Sequence, residues 1–290
     1  MMEKNRTSIR YREVGPRDGL QNIKHFIPTN KKIELIELLV QAGCSYIEIT
    51  AFVSPRWIKQ MEDAEIICEI LKKQDSVKYS VLVPNMKGLE RAKNFPVDEF
   101  IGVMSLSEIH NKQNLNKSVE ESLSELITMA QRASELNVPM RANLATAFGY
   151  VDNEPITTEY VIRISKELKK TGFSGITLCD TTGVANPKQV FELCSIVRSE
   201  LKDIDIGVHF HQQNGIEFAN IYASFMAGIR TFEGAIGGLG GCPFAEGAGG
   251  NIKTEQVIKM FSEMGIGHSI DLDKIFITSA YATKLQLEYL

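Results

Sequence analysis

The chain has 290 residues, 43% hydrophobic and 23% charged, enough apolar material for one large core or for two smaller ones. Its formal net charge is -4, with 32 Lys and Arg interspersed among 36 Asp and Glu, so no basic face is offered to a nucleic acid. Five cysteines (Cys44, Cys68, Cys179, Cys194, Cys242), odd in number and mostly set in apolar runs, read as reduced thiols; no run is apolar enough to span a bilayer and the N-terminus has no leader-like stretch, so a cytoplasmic enzyme without a membrane partner is expected.

Strands are predicted near residues 8–14, 45–50, 78–83, 98–104, 139–145, 174–180, 204–210 and 229–236, with helical patterns between them. A loose repeat recurs in "LIELLVQAGCSYIEIT", "ISKELKKTGFSGITLC" and "IYASFMAGIRTFEGAI", an amphipathic helix closing on a glycine (Gly43, Gly172, Gly228) before an apolar strand. Val119, Leu123, Leu126, Ala130 and Ala133 stand at helical spacing ahead of Pro139, and Pro187 fits the first position of a helix whose inner face carries Val190, Leu193, Cys194 and Val197. Alternation of helix and strand argues for parallel βαβ units. Eight strands favour a (β/α)8 TIM barrel over a doubly wound open sheet, as one domain over residues 1–290 with a C-terminal helical segment from about 252.

In such a barrel, chemistry gathers at the C-terminal ends of the strands. Strand one leads into Arg17 and Asp18 in "EVGPRDGLQN", strand two holds Glu48 and strand six ends at Asp180; strand seven ends in His209 and His211 of "HFH", which alternation sends to one face. After strand eight comes "GGLGGCPFAEGAGGN", with Cys242 and Asn251. Two imidazoles with the oxygens of Asp18 and Asn251 suit a divalent ion such as Mg²⁺, Mn²⁺ or Zn²⁺ with positions left open for substrate. Singly, each residue has a blander reading: a core or surface His pair, a turn Asp before Gly19, an Asn capping a helix that begins near Ile252. All four at strand ends outweigh those readings. Arg17 is placed to hold an oxygen as negative charge builds on it, or to pair with Glu48 or Asp180. Glu48, flanked by Ile47 and Ile49, finds a partner only in the barrel lumen. Cys242 reads as a proton donor, a redox-sensitive group or a small turn residue, and the glycines around it as backbone flexibility for a loop that closes over substrate; no phosphate-loop lysine follows at the required spacing.

The segments "EVGPRDGLQN", "IEITAFVSPRWIKQM", "VLVPN", "DTTGVANP", "HFH" and "GGLGGCPFAEGAGGN" resemble the 3-hydroxy-3-methylglutaryl-CoA lyases, of the DRE-TIM metallolyase group, from about Val14 to the helix after Asn251. The resemblance implies cleavage of a tertiary 3-hydroxyacyl-CoA to acetyl-CoA and a ketoacid with Mg²⁺ or Mn²⁺ held by Asp18, His209, His211 and Asn251. It also implies that Arg17 steadies the enolate oxygen, that Glu48 and Asp180 organise the site and that Cys242 takes part in proton transfer. Gln21 and Asn114 are implied as pocket residues, and a homodimer as the assembly. The base, Asp18, His209 or a water, is left open. The chain departs from the family pattern where Gln212-Gln213-Asn214-Gly215 follows the histidines in place of Asp-Thr-Tyr/Arg-Gly, where Asn143 replaces a Tyr in the substrate pocket, and where "FGYVD" replaces "FGCPY". Those changes leave room for a related branched substrate such as citramalyl-CoA, for a Claisen condensing synthase of the same group, or for a non-catalytic acyl-CoA-binding relative.

Overall fold

Eight parallel strands, β1 (Arg10–Glu13), β2 (Tyr46–Ala51), β3 (Lys78–Leu82), β4 (Glu99–Ser105), β5 (Met140–Ala145), β6 (Gly175–Asp180), β7 (Asp205–Phe210) and β8 (Thr231–Gly234), bond in chain order and close on themselves, β8 against β1, in the computed structural model, which describes residues 8–150, 154–240 and 249–290. The barrel is the one expected, and the open sheet is excluded by the β1–β8 pairing, which runs over four residue pairs from Arg10↔Thr231 to Glu13↔Gly234. Strand eight is shorter than its apolar run. Ile229 N–H is taken by the Ser224 carbonyl of the preceding helix, and Ile236–Gly238 turns into a short 3-10 segment.

The helices are α1 (Thr29–Gln41), α2 (Ala64–Ile70), α3 (Met86–Ala92), α4 (Glu108–Leu115), α5 (Val119–Glu135), α6 (Thr158–Lys170), α7 (Pro187–Glu200), α8 (Ile216–Met226), α9 (Thr254–Glu263) and α10 (Leu272–Tyr289). Their boundaries follow from local chemistry. Ser118 and Glu121 close a reciprocal capping box on α5, and Asn186 accepts from Gln189 N–H ahead of Pro187 on α7. Gly43, Gly172 and Gly228 follow α1, α6 and α8 at φ of 88°, 91° and 91°, a conformation that a side chain would strain. The inner stripes, such as Leu123, Leu126 and Ala133 of α5 and Val190, Leu193, Cys194 and Val197 of α7, are buried against the barrel. After the barrel, α10 packs along α1, where Tyr281 Oη donates to Glu34 at 2.6 Å.

The lumen is charged below the mouth rather than filled with branched aliphatics. Arg12 pairs with Glu99 and lies 3.5 Å from Glu233; Arg141 pairs with Asp205 and donates to Thr177 Oγ1 at 3.2 Å, which in turn donates to Glu233 at 2.8 Å. This network links the barrel floor to the residues at its upper rim.

Candidate active site

Arg17 and Asp18 sit on a single tight turn, Gly15–Gly19, in which the N–H groups of Arg17, Asp18 and Gly19 all converge on the Val14 carbonyl at 2.7–3.3 Å. The turn throws two consecutive side chains into the barrel mouth. Arg17 Nε donates to Glu48 Oε1 at 2.5 Å and Arg17 Nη1 to Asp18 Oδ1 at 2.6 Å, so its guanidinium takes one carboxylate from β2 and one from its own turn. Glu48 is 4% exposed and points into the lumen, as its apolar neighbours require. Asp180 is not among Arg17's partners; its oxygens accept from the N–H groups of Val184 and Ala185 at 3.0–3.3 Å and shape the loop after β6. Burial pushes the Asp180 carboxyl up to about 6.

The histidines lie on one face, ring centroids 5.2 Å apart. Ligand atoms of Asp18, His209 and His211 all fall within 4.8 Å of one another, the metal grip expected from their alternation. His211 Nδ1 lies 3.2 Å from the Gly249 carbonyl, which can only accept, so the hydrogen is on Nδ1 and the Nε2 lone pair is left for a cation. Burial and the neighbouring His209 hold the His211 pKa down to about 4, which keeps that lone pair available at neutral pH. His209 is also buried, which opposes its charge, but Glu233 and Asp18 outweigh that and raise its pKa. Asp18 is drawn below the usual carboxylate range despite burial by Arg17 and the two imidazoles.

Asn251 is fully buried and does not cap a helix. α9 begins three residues later with Lys253 as its cap, while Asn251 forms an antiparallel bridge with His211. Its Nδ2 donates to Asp18 Oδ2 at 2.6 Å and to the Leu239 carbonyl at 2.9 Å, which fixes the orientation of the amide; its Oδ1 has no partner among the described residues. A buried carbonyl oxygen left open beside a carboxylate and two imidazoles is the donor a divalent cation would satisfy, so the residues present fit such an ion.

Gln21 donates to Asp18 Oδ1 at 2.8 Å and so braces the carboxylate. Asn143 is 7% exposed on β5, with an unpartnered Oδ1 among the described residues, whereas Asn114 stands exposed on α4. Cys242 and most of its glycine-rich loop lie outside the described residues. Sequence reasoning missed Glu233, whose Oε2 lies 3.6 Å from His209 Nδ1. The signal was present in "TFEGAI", a lone carboxylate in an apolar strand, as for Glu48. Glu13 was missed as well. Buried beneath the Arg17 turn, it accepts from Gly15 N–H at 2.7 Å, Ile236 N–H at 2.9 Å and Thr254 Oγ1 at 2.5 Å.

Comparison with known proteins places this geometry. The HMGL-like family model matches residues 8–281. Hydroxymethylglutaryl-CoA lyase YngG of Bacillus subtilis is 41% identical, the alignment covering 92% of this chain and 89% of that protein. The crystal structure of the Bacillus subtilis HMG-CoA lyase superposes with a TM-score of 0.92 at 39% identity, covering 97% of this chain and 94% of that one. An HMG-CoA lyase from Acinetobacter baumannii, solved in complex with coenzyme A and 3-methylmalate, gives a TM-score of 0.92 at 36% identity, covering 98% and 93%. The chain belongs to the HMGL-like family.

Proposed function

We propose that the protein is a divalent-metal-dependent carbon–carbon lyase that cleaves 3-hydroxy-3-methylglutaryl-CoA to acetyl-CoA and acetoacetate. The observation that carries the reading is the convergence of Asp18, His209 and His211 within 4.8 Å, beside the open Oδ1 of Asn251. These four residues would hold the cation, and two oxygens with two imidazole nitrogens suit Mg²⁺ or Mn²⁺, with Zn²⁺ the competitor. An ion held there would supply Lewis-acid polarisation of a substrate oxygen and make a bound hydroxyl easier to deprotonate.

Cleavage passes the hydroxyl proton to a base at the site, Asp18, His209 or a water, breaks the bond between C2 and C3, and leaves its electron pair as the enolate of acetyl-CoA, which takes a proton back at carbon. Arg17 faces that enolate oxygen. Its guanidinium is already oriented by Glu48 and Asp18, so it stabilises developing charge with little reorganisation. Glu233 holds the His209 ring, and Asp180 holds the β6 loop at the rim. Asn143 presents its amide to the acyl tail from the lumen wall. Its side chain is smaller than the Tyr of the family pattern, and the room this leaves keeps one competing substrate, citramalyl-CoA, whose carboxylate stands one carbon nearer the reacting centre.

A homodimer is proposed on the exposed apolar side chains shared by α7 and α8, Phe191, Tyr222 and Met226. A cytoplasmic location is proposed on the four described cysteines, all buried free thiols; no helix among the described residues is long and apolar enough to cross a membrane.

The test is acetyl-CoA release from 3-hydroxy-3-methylglutaryl-CoA and citramalyl-CoA with and without Mg²⁺. Release from the first, dependent on the ion and reduced about 100- to 1,000-fold in kcat by Arg17→Met, is expected. Faster release from citramalyl-CoA would transfer the assignment to that substrate. Metal binding without turnover of either would remove the lyase reading.

A further inference from the structure

β7 ends at Phe210, but its backbone continues as a short antiparallel rung with the segment that leads into α9. Gln212 N–H donates to the Gly250 carbonyl at 2.8 Å, and Ile252 N–H to the Phe210 carbonyl at 3.0 Å. Across this rung the Gln212 carboxamide donates to the Asn251 carbonyl at 2.9 Å and to the Gly238 carbonyl at 3.3 Å. Gly238 lies in the turn after β8, so one side chain joins the point where the chain leaves the barrel to the point where it returns. The approach is close. A Cβ at Gly238 would lie 2.5 Å from Gln212 Nε2, and one at Gly249 would lie 2.6 Å from the Gln212 carbonyl oxygen. These two glycines therefore admit Gln212, Gly238 at a φ of 70° that a side chain would strain in any case.

We propose that Gln212 is a positioning residue for the metal centre, clasping the carbonyls of Gly238 and Asn251 so that the Asn251 side chain is held against Asp18. The proposal rests on the reading of Asn251 as a metal ligand. Asn251 has no helix beneath it: Ile252 and Thr254 after it are tied to Ala235 at 3.1 and 3.2 Å, while its own backbone carbonyl is held by this amide beside the His211 rung, and a ligand on such a segment keeps its direction only if the segment is tied at both ends. A carboxamide is what the position requires, because it donates to both carbonyl oxygens, whereas a carboxylate of similar length would face them with lone pairs.

The experiment is a calorimetric titration of the metal-free protein with Mn²⁺, for the unaltered chain, Gln212→Met, Asn251→Ala and the double variant. Gln212→Met keeps the length of the side chain and removes its amide. It is expected to raise the Mn²⁺ dissociation constant about tenfold with Asn251 present, and no more than about twofold in the Asn251→Ala background. Gln212→Asn keeps the amide but cannot span both carbonyls, so it is expected to weaken Mn²⁺ in the same way and stands in should the Met variant fail to fold. Unchanged Mn²⁺ binding in both Gln212 variants, or an equal loss with and without Asn251, overturns the clasp while leaving the metal reading in place. No Mn²⁺ binding by the unaltered protein, or full affinity in Asn251→Ala, overturns the metal reading and the clasp with it.

Discussion

A carboxylate inside an apolar strand has to be paired or protonated, and at this site two of them are paired for different ends. Glu48 orients the guanidinium that faces the substrate oxygen, whereas Glu233 sits behind a metal-binding imidazole, 3.6 Å from His209 Nδ1. Burial opposes the Glu233 charge, but His209, Arg12 and Arg141 outweigh it and hold its pKa at about 2. Glu233→Gln keeps the shape of the side chain and removes that charge. Because such partners fix the ring and raise its basicity, Mn²⁺ affinity should fall about 10- to 100-fold, with much of the activity recovered at saturating Mn²⁺. An Mn²⁺ titration identical to that of the unaltered protein would show that His209 needs no orienting anion. Residue roles were legible in the sequence to the extent that they were local. His209 and His211 declare themselves by alternation, and Glu48 by its neighbours, but the partner of Glu233 lies 24 positions upstream on another strand, and nothing local announces it. Asn251 had two equally local readings, cap or ligand, and only the start of α9 at Thr254 separates them.

At the scale of elements, the rim is assembled by the turns that follow the strands, and one buried side chain ties three of them. Glu13 accepts from the turn that carries Arg17 and Asp18, from the turn after β8 and from the first residue of α9, just beyond Asn251. Burial outweighs these hydrogen bonds and raises its pKa from 4.5 to about 7. Between those two values the folded chain binds a proton that the unfolded chain has lost, so this group's contribution to stability falls as pH rises through that window. The change is on the order of 3 kcal/mol across the window, from the shift and 1.36 kcal/mol per unit. Denaturant unfolding at pH 5 and pH 8 should therefore show a loss with pH that Glu13→Gln lacks; equal losses in the two proteins would assign the slope elsewhere, Asp180 first. The helices and strands themselves were readable from caps, glycines and period. This knot was not, because its three donors lie in segments whose mutual approach is set by barrel closure.

For the whole molecule, eight apolar runs with helical patterns between them sufficed to suggest a closed barrel, but not where its cylinder is weakest. The β1–β2 seam has a single residue pair, Glu13↔Ile47, against six between β4 and β5. Across that thin seam runs the Arg17–Glu48 ion pair, and across the β7–β8 seam runs the contact of His209 with Glu233. The metal ligands extend the same pattern, one from the turn after β1, two from the end of β7 and one from the segment after β8. A cation held by all four joins segments that meet only in the folded chain, so it should stabilise that state by mass action. At Mn²⁺ a hundredfold above its dissociation constant the gain is about 2.7 kcal/mol, and the unfolding entropy of a chain this long converts it to a rise of about 4 °C in Tm. At the same Mn²⁺ concentration, Asp18→Asn should shrink the rise by weakening the ligand contributed from the turn after β1. Should Mn²⁺ leave Tm unchanged in the unaltered protein, the four donors would not be acting as one site, and the segments after β1, β7 and β8 would have to be held together by the hydrogen bonds of Asp18, Asn251 and Gln212 alone.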